Sequence, residues 1–209
     1  MTLNAGLMDE VVPSGHLTID LKALRRNYAL ISRQVAPARA AGVVKANAYG
    51  LGAREVTAAL LEEGCRDFFV AEFVEAVELR PALPDDARLY VLNGLQPGNE
   101  GLCARINATP VANSLQQLKR WRDTAIELRR KLPVVLQFDT GMSRLGIAPE
   151  ERGSVSEILA GGDLEVRFIM SHLACADEAD HPQNARQLAE MQRAASEFAG
   201  GKLCFANSG

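Results

Sequence analysis

Aromatic side chains are scarce in this chain: one tryptophan, three tyrosines and seven phenylalanines make up 5% of 209 residues. They are not interleaved with Lys and Arg, and the formal net charge is -3. A basic stripe or a base-stacking platform is thereby excluded, and nucleic acid is not an expected partner. Cysteine is equally sparse. Cys65, Cys103, Cys175 and Cys204 stand far apart with no Cys-x-x-Cys pair and no Cys/His cluster, which fits neither zinc nor a disulfide framework. Reduced thiols and no metal are expected. No apolar run nears the ~20 residues needed to cross a bilayer, so no membrane partner is expected. The opening MTLNAGLMDEVVPSG has no basic leader, and Asp9 and Glu10 interrupt its apolar residues. A cytoplasmic location is the expectation.

What is present is ordinary in bulk and regular in order. With 47% hydrophobic and 23% charged residues the chain can bury a substantial core, and no linker or low-complexity tract divides it, so residues 1–209 read as one domain. Short β-branched runs alternate with longer amphipathic ones. Strands are expected at ARAAGVVK ending on Lys45, then at 67–71, 88–92, 109–113, 133–138, 165–172 and 202–208. Helices follow most of them. Asp20 is placed to cap a first helix, Gly64 to close a second, Ser114-x-x-Gln117 to form a capping box, and Pro182 to open the last. Seven strands in βα alternation imply an α/β fold with a parallel sheet. The two candidates are an incomplete (β/α)8 TIM-type barrel with about seven of eight strands, and an open doubly wound sheet.

The polar residues favour the barrel. Lys45, Gln137, Asp139, His172, Asn207 and Ser208 all fall at or just past the C-terminal ends of strands, which in a barrel converge on one mouth where active sites are built. Lys45 is the most informative of them. In a partly desolvated mouth a lysine loses its charge more readily, and a neutral amine can form a Schiff base with an aldehyde. The small residues Ala46, Ala48 and Gly50 beside it would leave room for a flat ring, and the Tyr49 hydroxyl could reach a phosphate.

The segment VVKANAYGLG, 43–52, resembles the cofactor-attachment segment of alanine racemases. FDTGMSRLGI (138–147), FIMSHLACADE (168–178) and FANSG (205–209) are similar to that family's further signatures, in the same order along most of the chain. The resemblance implies pyridoxal 5'-phosphate carried on Lys45, which also serves as one of two bases for the α-proton. It implies Tyr49 and Ser208 at the phosphate, and Arg144 beside the cofactor's phenolic oxygen and the substrate carboxylate. It further implies His172 near the pyridine ring, with Asn207 in the same pocket. The activity implied is interconversion of L- and D-alanine, a cell-wall precursor, by an enzyme that is a homodimer at full length. A racemase of serine or another amino acid, and a non-catalytic pyridoxal-phosphate carrier, remain as alternatives.

Several family features are not found. The family's opposite-face tyrosine base, the arginine at the pyridine nitrogen and the C-terminal β-domain would all lie past Gly209. Low activity of residues 1–209 alone is therefore expected. Gln137 stands where many members carry a lysine, often carbamylated, and can offer Arg144 a neutral acceptor only. Leu51 replaces a frequent histidine.

Overall fold

The computed structural model describes residues 14–198 and 202–205. Seven strands form one sheet: β1 (Gly42–Val43), β2 (Asp67–Val70), β3 (Arg88–Val91), β4 (Ala108–Ala112), β5 (Leu132–Gln137), β6 (Leu164–Met170) and β7 (Leu203–Cys204). Every neighbouring pair is parallel, and the spatial order is the order of the chain. A doubly wound sheet reverses its strand order at a switch point. No reversal occurs here, so the sheet is a curled partial barrel and the barrel expectation holds. Among the described residues no helix is long and apolar enough to cross a membrane.

Alternation along the strands separates two cores, as a barrel requires. Phe69, Tyr90, Val111, Val135 and Met170 point inward and form one buried cluster, with Leu92, Phe168 and Cys204 against it. Their neighbours Phe68, Val70, Leu89, Val91, Val134 and Leu136 point outward into a larger cluster under the helices. Aromatic rings supply much of the inner cluster's volume. Phe69 stacks on Tyr90 at 4.7 Å between centroids, and Phe168 meets Tyr90 edge-on at 5.3 Å. Burying each such side chain contributes about 2 kcal/mol before entropy is set against it.

Below these rings Asp67 lies 7% exposed. Arg88 donates to both of its oxygens (2.7 and 3.1 Å), and the Tyr90 hydroxyl donates to one (3.0 Å). Burial and the adjacent carboxylate push the Tyr90 phenol well above its usual value, so it remains a donor. The floor of the barrel is thus polar but satisfied.

The helical segments are α1 (Leu21–Gln34), α2 (Lys45–Tyr49), α3 (Ala53–Glu62), α4 (Phe73–Leu79), α5 (Glu100–Arg105), α6 (Leu115–Glu127), α7 (Arg152–Leu159) and α8 (Pro182–Glu197), all but the short α2 covering the outside of the sheet. Asp20 caps α1 by accepting from the Ala23 amide, and Ser114 caps α6 by accepting from the Gln117 amide. Gly64 adopts φ +86 just past α3, and Pro182 opens α8. The capping box at α6 closes differently from expectation: the Gln117 side chain accepts from Asn113, one residue before the cap, at 2.8 Å.

Several expected strands overrun the observed ones by a residue or two, and two, the first and the last, overrun by more. The first ends at Val43, not Lys45, because the chain turns sharply there. Of the expected strand over 202–208, only Leu203–Cys204 pairs, and 206–208 lie outside the described residues.

Candidate active site

β1 delivers Lys45 to the mouth. Val43 pairs with the inward-facing Phe69, and Lys45 follows two residues later, just past the end of the strand. The chain then enters α2, which is left-handed: Ala46, Asn47, Ala48 and Tyr49 all have φ between 52 and 56°. For L-residues this conformation costs roughly 1–2 kcal/mol each, and runs of it are rare. It persists because its polar groups are over-determined. The Ala48 amide bonds the Val44 carbonyl (2.9 Å), the Gly52 amide bonds the Asn47 carbonyl (3.0 Å), and the Asn47 side chain accepts from the Ala53 amide at the start of α3 (2.8 Å). Left-handed winding folds Tyr49 back over Lys45, whose Nζ stands 5.9 Å from the ring centroid. Tyr49 is 64% exposed, so its hydroxyl is open to a ligand. Of the small residues expected to clear space, Ala46 and Gly50 are exposed, whereas Ala48 is buried in the outer core and serves packing instead.

His172 comes from the opposite side of the mouth. It follows β6 by two residues, on the same face as Met170. Burial holds its pKa below the ordinary 6.5, and the positive charges of Arg144 and Lys45 push it further down. The imidazole is therefore neutral near pH 7. The charges of Lys45 and Arg144, distant in sequence, thus both act on His172.

Arg144 is carried by an out-and-back loop after β5. Phe138 and Ile147 pair at its base, and the Asp139 carboxylate accepts from the Gly141 (2.9 Å) and Ser143 (3.0 Å) amides. Gly146 closes the loop at φ +121, where a Cβ would lie 2.5 Å from the Asp139 nitrogen. Only glycine fits, and the loop is held in one shape with Arg144 exposed upon it. Among the described residues neither Lys45 nor Arg144 has an ion-pair partner. Gln137 does not bond Arg144; it donates to the Leu145 carbonyl at 3.4 Å. Asn207 and Ser208 lie outside the described residues.

The structure adds one loop anchor that motif reading missed, Gln187, and gives Gln117, expected only as a capping residue, a second such role. Gln187 on α8 is fully buried; its amide nitrogen donates to the His172 carbonyl (2.8 Å) and Thr140 Oγ1 (3.2 Å), and its oxygen accepts from Ala174 (2.9 Å). It ties the Arg144 loop to the His172 loop. Gln117 on α6 joins the ends of β3 and β4 through Asn93 and Asn113. Gln187 had a signal: it shares a buried helical stripe with Met191 and Ala194, where a polar residue needs a partner.

The donor set therefore comprises a primary amine, a planar guanidinium, a neutral imidazole and an exposed phenol, with no carboxylate ion-paired to either cation among the described residues. It suits a phosphorylated aldehyde and a carboxylate ligand.

Residues 19–209 match the family described as alanine racemase, N-terminal domain. A catabolic alanine racemase of Rhizobium johnstonii is 57% identical over 197 residues, covering 94% of this chain and 52% of its own length. An alanine racemase of Brucella ovis is 51% identical, covering 96% of this chain and 51% of its own. Among solved structures, alanine racemase from Bartonella henselae with covalently bound pyridoxal phosphate superposes with a TM-score of 0.87 at 37% identity. The match covers 91% of this chain and 56% of that one. The biosynthetic enzyme of Pseudomonas aeruginosa gives 0.82 at 35% identity, covering 91% of this chain and 52% of that one. The chain spans about half the length of the curated relatives it matches. By the extent of the family match, the chain belongs to the alanine racemase N-terminal domain family.

Proposed function

We propose that residues 1–209 form one pyridoxal 5'-phosphate-binding barrel unit of an amino-acid racemase acting on alanine. The observation that carries this is that Lys45 follows β1, Arg144 stands on the loop after β5 and His172 follows β6, all past C-terminal strand ends, with no ion-pair partner for either cation among the described residues. The residues present fit the cofactor. Lys45 supplies the amine for covalent attachment, and Tyr49, exposed beside it, supplies a hydroxyl for the phosphate. When bound, the cofactor supplies an electron sink for the pair left by the α-proton.

The chain's own groups do the rest. Lys45 takes or returns the α-proton on one face of the substrate. The Arg144 guanidinium, mounted on its rigid loop, holds the cofactor's phenolic oxygen and the substrate carboxylate. His172, held neutral, contacts the ring without adding a third positive charge to the mouth. Asn207 and Ser208 are assigned to the cofactor pocket and its phosphate from their motif. Inversion needs a proton delivered to the other face. We assign that group to the part of the full-length enzyme outside residues 1–209, as a homodimer, so these residues alone should racemise alanine poorly.

Incubating the 209-residue chain with pyridoxal phosphate, reducing with borohydride and mapping the peptides tests the reading. Label at Lys45, abolished by Lys45→Ala, is expected. Label spread evenly over surface lysines, or unchanged by Lys45→Ala, refutes it.

A further inference from the structure

Glu75 sits in the first turn of α4, the helix after β2, and its carboxylate serves two loops at once. Oε2 accepts from the amides of Ala71 (2.8 Å) and Glu72 (2.9 Å), which caps α4. Oε1 accepts from the amide of Ala46 (2.5 Å), across to the left-handed turn after β1. Capping alone would use only the first oxygen. The second reaches the residue that follows Lys45.

That contact fixes one particular degree of freedom. The peptide plane joining Lys45 to Ala46 contains the Ala46 N–H, so holding this N–H holds Lys45 ψ, and with it the direction in which the side chain leaves the mouth. At its ends the turn is tied to its neighbours by backbone alone, Val44 donating to the Phe69 carbonyl (2.8 Å) and the Gly52 carbonyl accepting from Val56 in α3 (3.0 Å); between them the bonds run within residues 44–53: Ala48 to Val44, Gly50 to Ala46, Gly52 to Asn47, and Ala53 to the Asn47 side chain. Among the described residues, Glu75 is the only side chain from outside 44–53 that hydrogen-bonds the backbone of the turn. Without it the Ala46 peptide could flip toward the right-handed region that L-residues prefer.

We propose that Glu75 is a positioning residue for Lys45, setting the lysine backbone so that its amine meets an aldehyde ligand in the mouth. The role rests on the proposed cofactor-binding function. It requires a carboxylate. An amide at this position can keep one oxygen on the Ala71 and Glu72 amides, but its NH2 then confronts the Ala46 N–H, donor against donor. Glu75→Gln therefore preserves the cap and cuts the tie to the turn.

The test uses the chain as it is, with pyridoxal phosphate as the probe. The lysine Nζ condenses with the aldehyde carbon, a C=N bond forms and water leaves; borohydride then delivers hydride to that carbon and fixes the label. Initial labelling rates at Lys45 are compared for the wild type, Glu75→Gln, and Glu78→Gln, an exposed carboxylate on the same helix. Amide hydrogen exchange at Ala46 is followed in the ligand-free chain. Glu75→Gln should slow labelling and speed Ala46 exchange, each by about tenfold, the scale of one charge-assisted hydrogen bond. Glu78→Gln should change neither. Should Glu75→Gln fail to fold, Glu75→Asp carries the same expectation, since it retains a charged cap but falls a methylene short of Ala46.

Wild-type labelling in Glu75→Gln overturns the role, whether or not exchange rises, because the carboxylate would then be a cap only. Unchanged exchange at Ala46 overturns it equally. Absence of label at Lys45 in the wild type overturns the cofactor-binding function and this role with it.

Discussion

Replacing Gln187 by leucine tests whether the two loops bearing Arg144 and His172 are held by one side chain. The volume is nearly conserved, so the cost is in hydrogen bonds and not in a cavity. Three partners are released: the His172 carbonyl, the Ala174 amide and Thr140 Oγ1. Thr140 keeps its bond to Ser171 at 2.7 Å, and Ala174 is reachable by water, so not every loss is full. At about 1 kcal/mol for each released group, Gln187→Leu should cost about 2–3 kcal/mol. That is a large share of a domain's typical total of about 5–15 kcal/mol, and urea unfolding followed by circular dichroism will read it. Gln187→Glu adds a signature that simple packing loss lacks. Ionised, the new carboxylate would face the His172 carbonyl oxygen; protonated, it can donate to that oxygen and still accept from Ala174. Its folded pKa must then lie above the unfolded value of about 4.3. A raised folded pKa gives stability that is present below the unfolded value and lost as pH rises through the folded one. The penalty of Gln187→Glu relative to Gln187→Leu should accordingly be small in acid and grow toward neutral pH. A Gln187→Leu cost under about 0.5 kcal/mol, the scale of an ordinary surface change, would refute the anchoring argument. So would a Gln187→Glu penalty that ignores pH.

Acidification should destabilise the fold through His172. Because its folded pKa lies below 6.5, the unfolded chain binds the extra proton first, and stability falls as pH drops from 6.5 toward the folded value; His172→Gln should show a shallower decline in urea midpoint over that window. Gly146→Ala places a Cβ 2.5 Å from backbone at φ +121 and should cost about 3 kcal/mol or more in the same assay, with proteolysis appearing in the Arg144 loop. Arg88→Met strands Asp67 on the barrel floor with Arg39 at 3.5 Å as its remaining cation, and should lower stability by about 3 kcal/mol. Arg88→Met paired with Asp67→Leu should recover most of that loss, which a double-mutant cycle will measure.

The architecture was legible because its signals are local and repeated. Each βα unit shows a short β-branched run, a break and an amphipathic stretch, and the caps at Asp20, Ser114 and Pro182 mark where helices open. The inward and outward cores also follow directly from alternation, as Phe68, Phe69 and Val70 show. The left-handed turn was not legible. Ala, Asn, Ala and Tyr in sequence favour no such conformation, and it exists only because partners outside those residues, Glu75 among them, hold it. Tertiary demand overrode local preference, and the first strand is shorter than its apolar run for the same reason. The Arg144 loop lies between these cases. Asp139-Thr140-Gly141 reads as a turn, but the requirement for glycine at 146 arises from backbone seven residues back and appears only in three dimensions.

The chain carries net negative charge, yet among the described residues Lys45 and Arg144 have no ion-pair partner, and the structure shows how both hold at once. The carboxylates nearest the strand ends are committed to backbone amides: Glu75 to Ala46, Ala71 and Glu72, and Asp139 to Gly141 and Ser143. Glu72 is engaged by the Asn93 side chain. Each such bond orders a loop and occupies an oxygen that could otherwise have neutralised Lys45 or Arg144. The acids therefore shape the mouth while the cations remain available for a ligand. The His172 imidazole is driven neutral by burial and by the charges of Arg144 and Lys45, so it adds no further repulsion to those two positive groups. A carboxylate freed from its amides would do more than loosen a loop: it would supply the counter-ion that the site lacks. Loop order and electrostatic readiness are thus set by the same hydrogen bonds, and the ligand expected to complete the site is an anion.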